Sequence, residues 1–216
     1  MTNIYLLVAT LFLNVSVNSC VQENKESLVD LKTVQEGTGV ATFAGGCFWC
    51  TEAVFERMIG VNDVVSGYTG GTTADPTYKQ VSYGQTDHAE AVQIYFDPEL
   101  VTYQELLDVF FATHDPTQLN RQGPDVGKQY RSAVYYHDAA QKKALDATLK
   151  KLNASGKYHT TIVTEVASYT KFYLAEGYHQ NYYELNQGNP YVISIAIPKV
   201  KKFKKLFPDQ VKAEYK

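Results

Sequence analysis

The sequence predicts a single layered domain of α/β type, and three observations lead there. Its 216 residues suffice for one domain with a full core. Short β-rich runs alternate with runs of helical spacing, the order that packs helices onto a sheet. Neither an internal repeat nor a low-complexity block interrupts that order. The net charge of −3 gives no argument for nucleic acid as a partner or for a basic membrane-binding surface.

Residues 4–17 are mostly apolar, too short to span a bilayer comfortably, and fit the core of a signal peptide. Val17-Asn18-Ser19-Cys20 resembles a lipoprotein cleavage site with Cys20 as the lipidated residue. The alternative is a plain secretory signal with an incidental cysteine. The expected division is a lipoprotein-type signal peptide over 1–19, a polar tether over 20–37 and the functional domain over 38–216. The chain is then exported and held at a membrane through Cys20, facing the periplasm or exterior, and is expected to be a monomer.

Val40 to Ala44 is short and apolar and reads as a buried strand. Gly45-Gly46-Cys47-Phe48-Trp49-Cys50 follows, and Val54, Phe55, Met58 and Ile59 continue at helical spacing to a stop at Gly60. Cys47 therefore stands where a strand turns into a helix N-terminus. Free N–H groups and the positive dipole end favour a thiolate there, so a lowered Cys47 pKa is expected. Cys50 lies one turn on and shares the face, and a small adjustment lets the two sulfurs bond. Two buried structural cysteines are the plainer alternative. Zinc lacks a second pair of ligands, so no metal is expected. With Cys20 set aside as an anchor, the remaining pair is too few and too close to staple a secreted fold, which favours redox use.

Val61 to Tyr68 reads as a strand and Thr69 to Pro76 as a glycine-rich loop, with Tyr68 and Tyr78 bracketing it. His88 to Phe96 is the next strand, ended by Asp97-Pro98. Alternation puts His88, Glu90, Val92, Ile94 and Phe96 on one face. If that face is covered, burial raises the Glu90 pKa and makes it a general acid; otherwise Glu90 sits at an exposed strand mouth beside a lysine. Thr102-Tyr103-Gln104-Glu105 is a capping box before an apolar helix. His114 to Tyr130 is a long polar loop, read as a site loop. Ser132 to His137 and Thr161 to Val166 read as strands and Ala139 to Leu152 as a helix. Phe172 to Asn186 reads as helical, with His179 packed rather than catalytic. Pro198 to Pro208 reads as an amphipathic helix with a solvated lysine face, anionic headgroup contact being the minor alternative.

Gly46-Cys47-Phe48-Trp49, Gly67-Tyr68-Thr69-Gly70-Gly71, Pro76-Thr77-Tyr78, His88-Ala89-Glu90-Ala91-Val92, His114-Asp115-Pro116, Gln129-Tyr130-Arg131-Ser132 and Tyr178-His179-Gln180 follow one another in order and at sensible spacing. Through them the chain, over residues 40–190, resembles the peptide methionine sulfoxide reductase A family. The resemblance implies an α+β fold, a two-layer α/β sandwich with a ferredoxin-like core and a mixed sheet. It implies reduction of the S epimer of methionine sulfoxide, free or in proteins, since separate enzymes serve the two epimers. Carried over by position, Cys47 is the nucleophile, Phe48 and Trp49 line the pocket for the substrate methyl, and Tyr78, Glu90 and Tyr130 surround the oxygen. Asp125 belongs to the same site. The chemistry agrees: a thiolate must attack sulfur while an acid protonates the poor leaving oxygen, and no cofactor is required.

The chain departs from the family pattern in one respect. Many members carry resolving cysteines near the C-terminus, whereas here no cysteine follows Cys50 and Val192 comes after Pro190-Tyr191. Cys50 is then the thiol left to attack a Cys47 sulfenic acid, and a thioredoxin-like external dithiol would reduce the disulfide. Two other functions compete: a general thioredoxin-like dithiol oxidoreductase, and a lipid-anchored binding module with inert buried thiols.

Overall fold

The computed structural model describes residues 37–216. The expected signal peptide, Cys20 and nearly all of the expected tether lie outside the described residues.

Six strands form one mixed sheet. They are β1 (Gly39–Gly45), β2 (Val61–Thr69), β3 (Ala89–Phe96), β6 (Ser132–Tyr136), β7 (Glu165–Ser168) and β8 (Phe172–Leu174), in the spatial order β7-β6-β1-β3-β2-β8. The β6–β7 pairing is parallel and the others are antiparallel. Helix α1 (Phe48–Glu56) carries the chain from β1 to β2, and β3 then inserts between them. Both neighbours of β3 are strands, and all eight of its residues are buried.

The two faces of the sheet differ in residue size. Phe43, Val92, Ile94 and Phe96 project into the main core with Val54 and Phe55 of α1 and with Leu106, Leu107 and Phe110 of α3 (Tyr103–Thr113). The other face carries Ala44, Ala89, Ala91 and Ala133 beside one large side chain, Tyr135, with Tyr169 and Phe172 packed against them. Alternation thus puts Glu90 on the same side as Val92, Ile94 and Phe96, as the sequence predicts. The expected capping box starts α3: the Thr102 hydroxyl accepts the Glu105 N–H, and the Glu105 carboxylate accepts the Thr102 N–H at 2.8 Å. Phe43 stacks on Phe110 with ring centroids 4.9 Å apart. Phe43→Ala should destabilise the protein by about 3–5 kcal/mol, read as a lower denaturant midpoint, because the large void sits at a strand–helix contact.

Three expected elements differ. The helix expected over Phe172 to Asn186 is instead β8, a single 3₁₀ turn at Gly177–His179, and one helical turn, α5 (Tyr182–Leu185). Side-chain bonds to β2 decide the matter. Gln180 accepts the Ser66 N–H and donates to the Ser66 carbonyl, both at 2.9 Å, extending the β2 ladder. Gly67 has no Cβ to meet the Tyr173 carbonyl, so β8 can approach. The strand expected at Thr161 pairs only from Glu165, because the Val163 N–H is taken by the Pro116 carbonyl at 2.8 Å. The tail forms α6 (Ile197–Leu206) behind a wide π-helical turn at Val192–Ala196. Val200 and Phe203 are buried and Lys201 and Lys205 exposed as expected, but Lys199 turns inward and donates to the Gly45 carbonyl at 3.3 Å. The remaining elements are α2 (Tyr78–Ser82), α4 (Ala139–Ala154) and a small hairpin in the site loop, β4 (Arg121–Gln122) with β5 (Asp125–Val126).

Candidate active site

The strand β1 ends at Gly45, and Gly46 turns the chain with φ +89°, where a Cβ would come within 2.6 Å of Gln122 Cβ. Cys47 follows as the N-cap of α1, in extended conformation with ψ 126°. Of the free N–H groups at this helix start, that of Phe48 donates to Glu90 Oε2 at 3.1 Å. Glu90, the second residue of β3, is 2% exposed. Its pKa is raised to about 8, chiefly by burial, against the Phe48 bond and with help from the charge of Asp125. Glu90 therefore holds its proton at neutral pH, the outcome expected for a covered face rather than an exposed strand mouth.

Four other segments bring side chains to the same place. Trp49, on α1, is held from both sides: its Nε1–H donates to His179 Nδ1 at 3.0 Å, and its ring stacks on Tyr182 at 3.7 Å and 8°. Burial lowers the His179 pKa to about 4, so the ring is the neutral acceptor that Trp49 requires. Tyr78 begins α2, which Thr77 and Gln80 cap reciprocally. Glu176 fixes it further, accepting the Tyr78 N–H and the Tyr68 hydroxyl, both at 2.8 Å. Burial works against the Glu176 charge, but those two bonds prevail and hold its pKa below the usual value. The site loop delivers Asp125 on β5 and Tyr130 on the turn Lys128–Tyr130. Tyr191, ahead of α6, donates its hydroxyl to Asp125 Oδ2 at 2.6 Å.

Cys47, Phe48, Trp49, Tyr78, Glu90, Asp125 and Tyr130 all line one cavity of about 180 Å³, closed by Tyr191. Every residue that sequence reasoning expected at the substrate is thus in one place. Cys50 lies one helical turn behind Cys47, outside this cavity, and both thiols are free. Cys20 lies outside the described residues. A larger cleft of about 410 Å³, beside Lys157 and Lys202, contains none of these groups.

The thiols correct one expectation. The Cys47 pKa is not lowered: burial pushes it well above the usual thiol value, and the hydrogen bond with Cys50 and the charges of Cys50 and Glu90 push the same way. Only 7% of Cys47 is exposed, and the Phe48 N–H that would support a thiolate faces Glu90 instead, so desolvation outweighs the helix dipole. Cys50 is the thiol whose pKa falls, to about 7, through its bond with Cys47 and the charge of Lys199, with burial opposing.

Sequence reasoning did not assign Tyr191, Glu176 or Lys199 to the site. The tyrosine sits beside Val192, where the family resemblance leads one to expect a cysteine, and that adjacency is the signal the sequence holds. Glu176 and Lys199 carry no local signal, because β8 and α6 bring them in from more than a hundred residues away.

Chemically, the cavity offers a nucleophilic sulfur, a neutral carboxyl, three phenols and an apolar aromatic wall within a space suited to a small side chain. Residues 39–211 match the family model described as peptide methionine sulfoxide reductase. The chain is 53% identical over 189 residues to a peptide methionine sulfoxide reductase from Rhodopirellula baltica, covering 88% of this chain and 97% of that protein. It is 54% identical over 171 residues to one from Haloquadratum walsbyi, covering 79% and 97%. Among solved structures, the methionine sulfoxide reductase A of Corynebacterium diphtheriae is similar with a TM-score of 0.64 and 35% identity, covering 72% of this chain and 78% of that one. Reduced Mxr1 from Saccharomyces cerevisiae is similar with a TM-score of 0.63 and 35% identity, covering 71% and 88%.

Proposed function

The chain belongs to the peptide methionine sulfoxide reductase family, and on that premise we propose how its residues reduce methionine sulfoxide and which epimer they take. The substrate methyl lies against Phe48 and Trp49, its sulfur faces Cys47, and its oxygen faces Glu90, Tyr78 and Tyr130. Sulfoxide sulfur is pyramidal, so fixing methyl, oxygen and line of attack together admits one hand, which the family places as the S epimer. Glu90 gives its proton to the oxygen as Cys47 sulfur bonds to the sulfoxide sulfur, and Cys47 delivers its own proton to solvent or the departing group. In the collapse the substrate S–O bond breaks and the hydroxyl passes to the Cys47 sulfur, while the S–S bond breaks with its electron pair left on methionine; Cys47 is then a sulfenic acid, and Glu90 regains a proton from solvent. Cys50 then attacks that sulfur, an S–S bond forms, and water leaves. An external dithiol of thioredoxin type supplies two electrons and two protons to restore both thiols. The protonated, buried Glu90 in one cavity with Cys47 carries the reading. A general dithiol oxidoreductase has no use for that acid and its two phenols. The β6-β1-β3-β2 order, with α1 and α3 as crossovers, supports reading the core as ferredoxin-like.

The test is an epimer-resolved assay on pure S and R methionine sulfoxide in a short peptide. Turnover of the S epimer alone is the expected result; equal turnover of both would overturn the three-point reading. The pH dependence has a definite sign. The acid form of Glu90 and the thiolate of Cys47 are both needed, and the Cys47 pKa lies above that of Glu90, so the rate of methionine release in a single turnover should rise with pH and stop rising as pH passes through the Glu90 pKa of about 8. A rate that climbs steadily to pH 10 would remove an acid from the step.

The membrane anchor remains a proposal, supported by the apolar stretch, the Val17-Asn18-Ser19-Cys20 site and the polar residues after it. Cys20→Ser should move the protein to the soluble fraction or leave it uncleaved. A wild-type protein that is soluble and starts elsewhere than Cys20 would contradict the proposal.

A further inference from the structure

A second cavity, of about 200 Å³, adjoins the two sulfurs. Cys47, Cys50, Asp125 and Tyr191 form part of its wall, while Glu90, Tyr78 and Tyr130 do not. Lys199 is the single basic residue on that wall. The mechanism above leaves Lys199 without a task. Its position is nevertheless specific. The neighbouring Lys201 and Lys205 are exposed on α6, but Lys199 bends under the helix and donates to the carbonyl of Gly45, two residues before Cys47. Among the described residues it joins no salt bridge, so its charge is not spent on a carboxylate within 4.0 Å.

We propose that Lys199 is a positioning residue for the recycling half of the cycle, its ammonium holding negative charge on Cys50. The inference rests on reading Cys50 as the resolving thiol. That charge is needed twice. First, the Cys50 thiolate attacks the sulfur of the Cys47 sulfenic acid: the S–S bond forms, the S–O bond breaks, and hydroxide takes a proton and leaves as water. Second, the thiolate of an external dithiol attacks Cys47 in the disulfide, and Cys50 departs with the electron pair. A leaving thiol of lower pKa leaves faster. The second thiol of the dithiol then resolves the mixed disulfide, so the dithiol is oxidised as the enzyme is reduced.

The groups facing Cys50 agree with this division. From its own helix the Cys47 thiol stabilises the Cys50 anion, and burial opposes it. From α6 Lys199 favours the charge, from the turn ahead of α6 the Tyr191 hydroxyl lies 4.0 Å from Cys50 Sγ, and from β5 Asp125 disfavours it. Glu90 on β3 adds repulsion only when ionised. Once Cys47 is oxidised its thiol hydrogen bond is gone, and Lys199 becomes the principal group favouring charge on Cys50.

The test compares wild type, Lys199→Met, Lys199→Arg and Cys50→Ser, using methionine sulfoxide without reductant. Two signals are followed: methionine released, and Cys47 sulfenic acid captured by a dimedone-type trap. In Lys199→Met the methionine burst should persist, while sulfenic acid should survive several-fold longer at pH 7, since less of Cys50 is then the attacking thiolate. Its disappearance should accelerate as pH rises, on a profile displaced upward from wild type. Lys199→Arg should restore the wild-type profile. An unchanged profile in Lys199→Met overturns the inference. So does loss of the burst that neither arginine nor high pH rescues, since Lys199 would then be a structural prop for Gly45. If Cys50→Ser clears sulfenic acid as fast as wild type, the reading of Cys50 itself fails, which is a separate result.

Discussion

Glu90→Gln should slow methionine formation by about 10²–10⁴-fold at neutral pH, the usual range for loss of a positioned general acid. The substitution is close to isosteric with the protonated carboxyl. The amide oxygen can still accept the Phe48 N–H that Glu90 Oε2 accepts at 3.1 Å, so the helix start should stay in place. An amide N–H can hydrogen-bond to the sulfoxide oxygen but cannot give up its proton, which separates binding from chemistry. Because Glu90 also adds to the upward push on the Cys47 pKa, alkylation of Cys47 should be unchanged or faster in the variant. Slow reduction beside intact alkylation would place the defect in proton transfer. A variant within about twofold of wild type would remove Glu90 from the mechanism.

Cys50→Ser should separate the cycle at its midpoint. One methionine should form per enzyme in a burst, since nucleophile, acid and cavity are intact. The burst should not be slower than wild type: the charge of Cys50 raises the Cys47 pKa, and a serine hydroxyl carries none. Cys47 should then remain as sulfenic acid, because a serine hydroxyl is too weak a nucleophile to displace its oxygen. Turnover with thioredoxin should collapse, and dithiothreitol should rescue it in part by attacking Cys47 directly. Cys47→Ser should show neither burst nor turnover. Full thioredoxin-driven turnover in Cys50→Ser would make Cys50 a bystander.

How much was legible in the sequence depends on how local the determining contact is. The capping box at Thr102, the turn at Gly46 and the strand face carrying Glu90 follow from neighbours a few residues apart, and the structure has them all; the second box, Thr77 with Gln80, is equally local and went unread. The site loop was legible through its length and polarity, and it supplies Asp125 and Tyr130. The region from Phe172 misled because its aromatics suit a helix or a strand equally. What decides between them is Gln180 completing the ladder at Ser66, a partner 114 residues away. The Cys47 pKa misled for a related reason. A helix start is visible in sequence, but the carboxyl that takes its Phe48 N–H and the burial that desolvates the thiol are tertiary. Lys199 read as one of several solvated lysines, and only the packing of α6 against α1 and α3, which brings it to the Gly45 carbonyl, distinguishes it.

The most direct test of the central claim is a single turnover of the wild-type enzyme with methionine sulfoxide and no reductant, following methionine and the thiols together. The expected result is one methionine per enzyme, with loss of the Cys47 and Cys50 thiols and a Cys47–Cys50 disulfide in the peptide map. Methionine formed while both thiols stay free, or a disulfide formed without methionine, would contradict it.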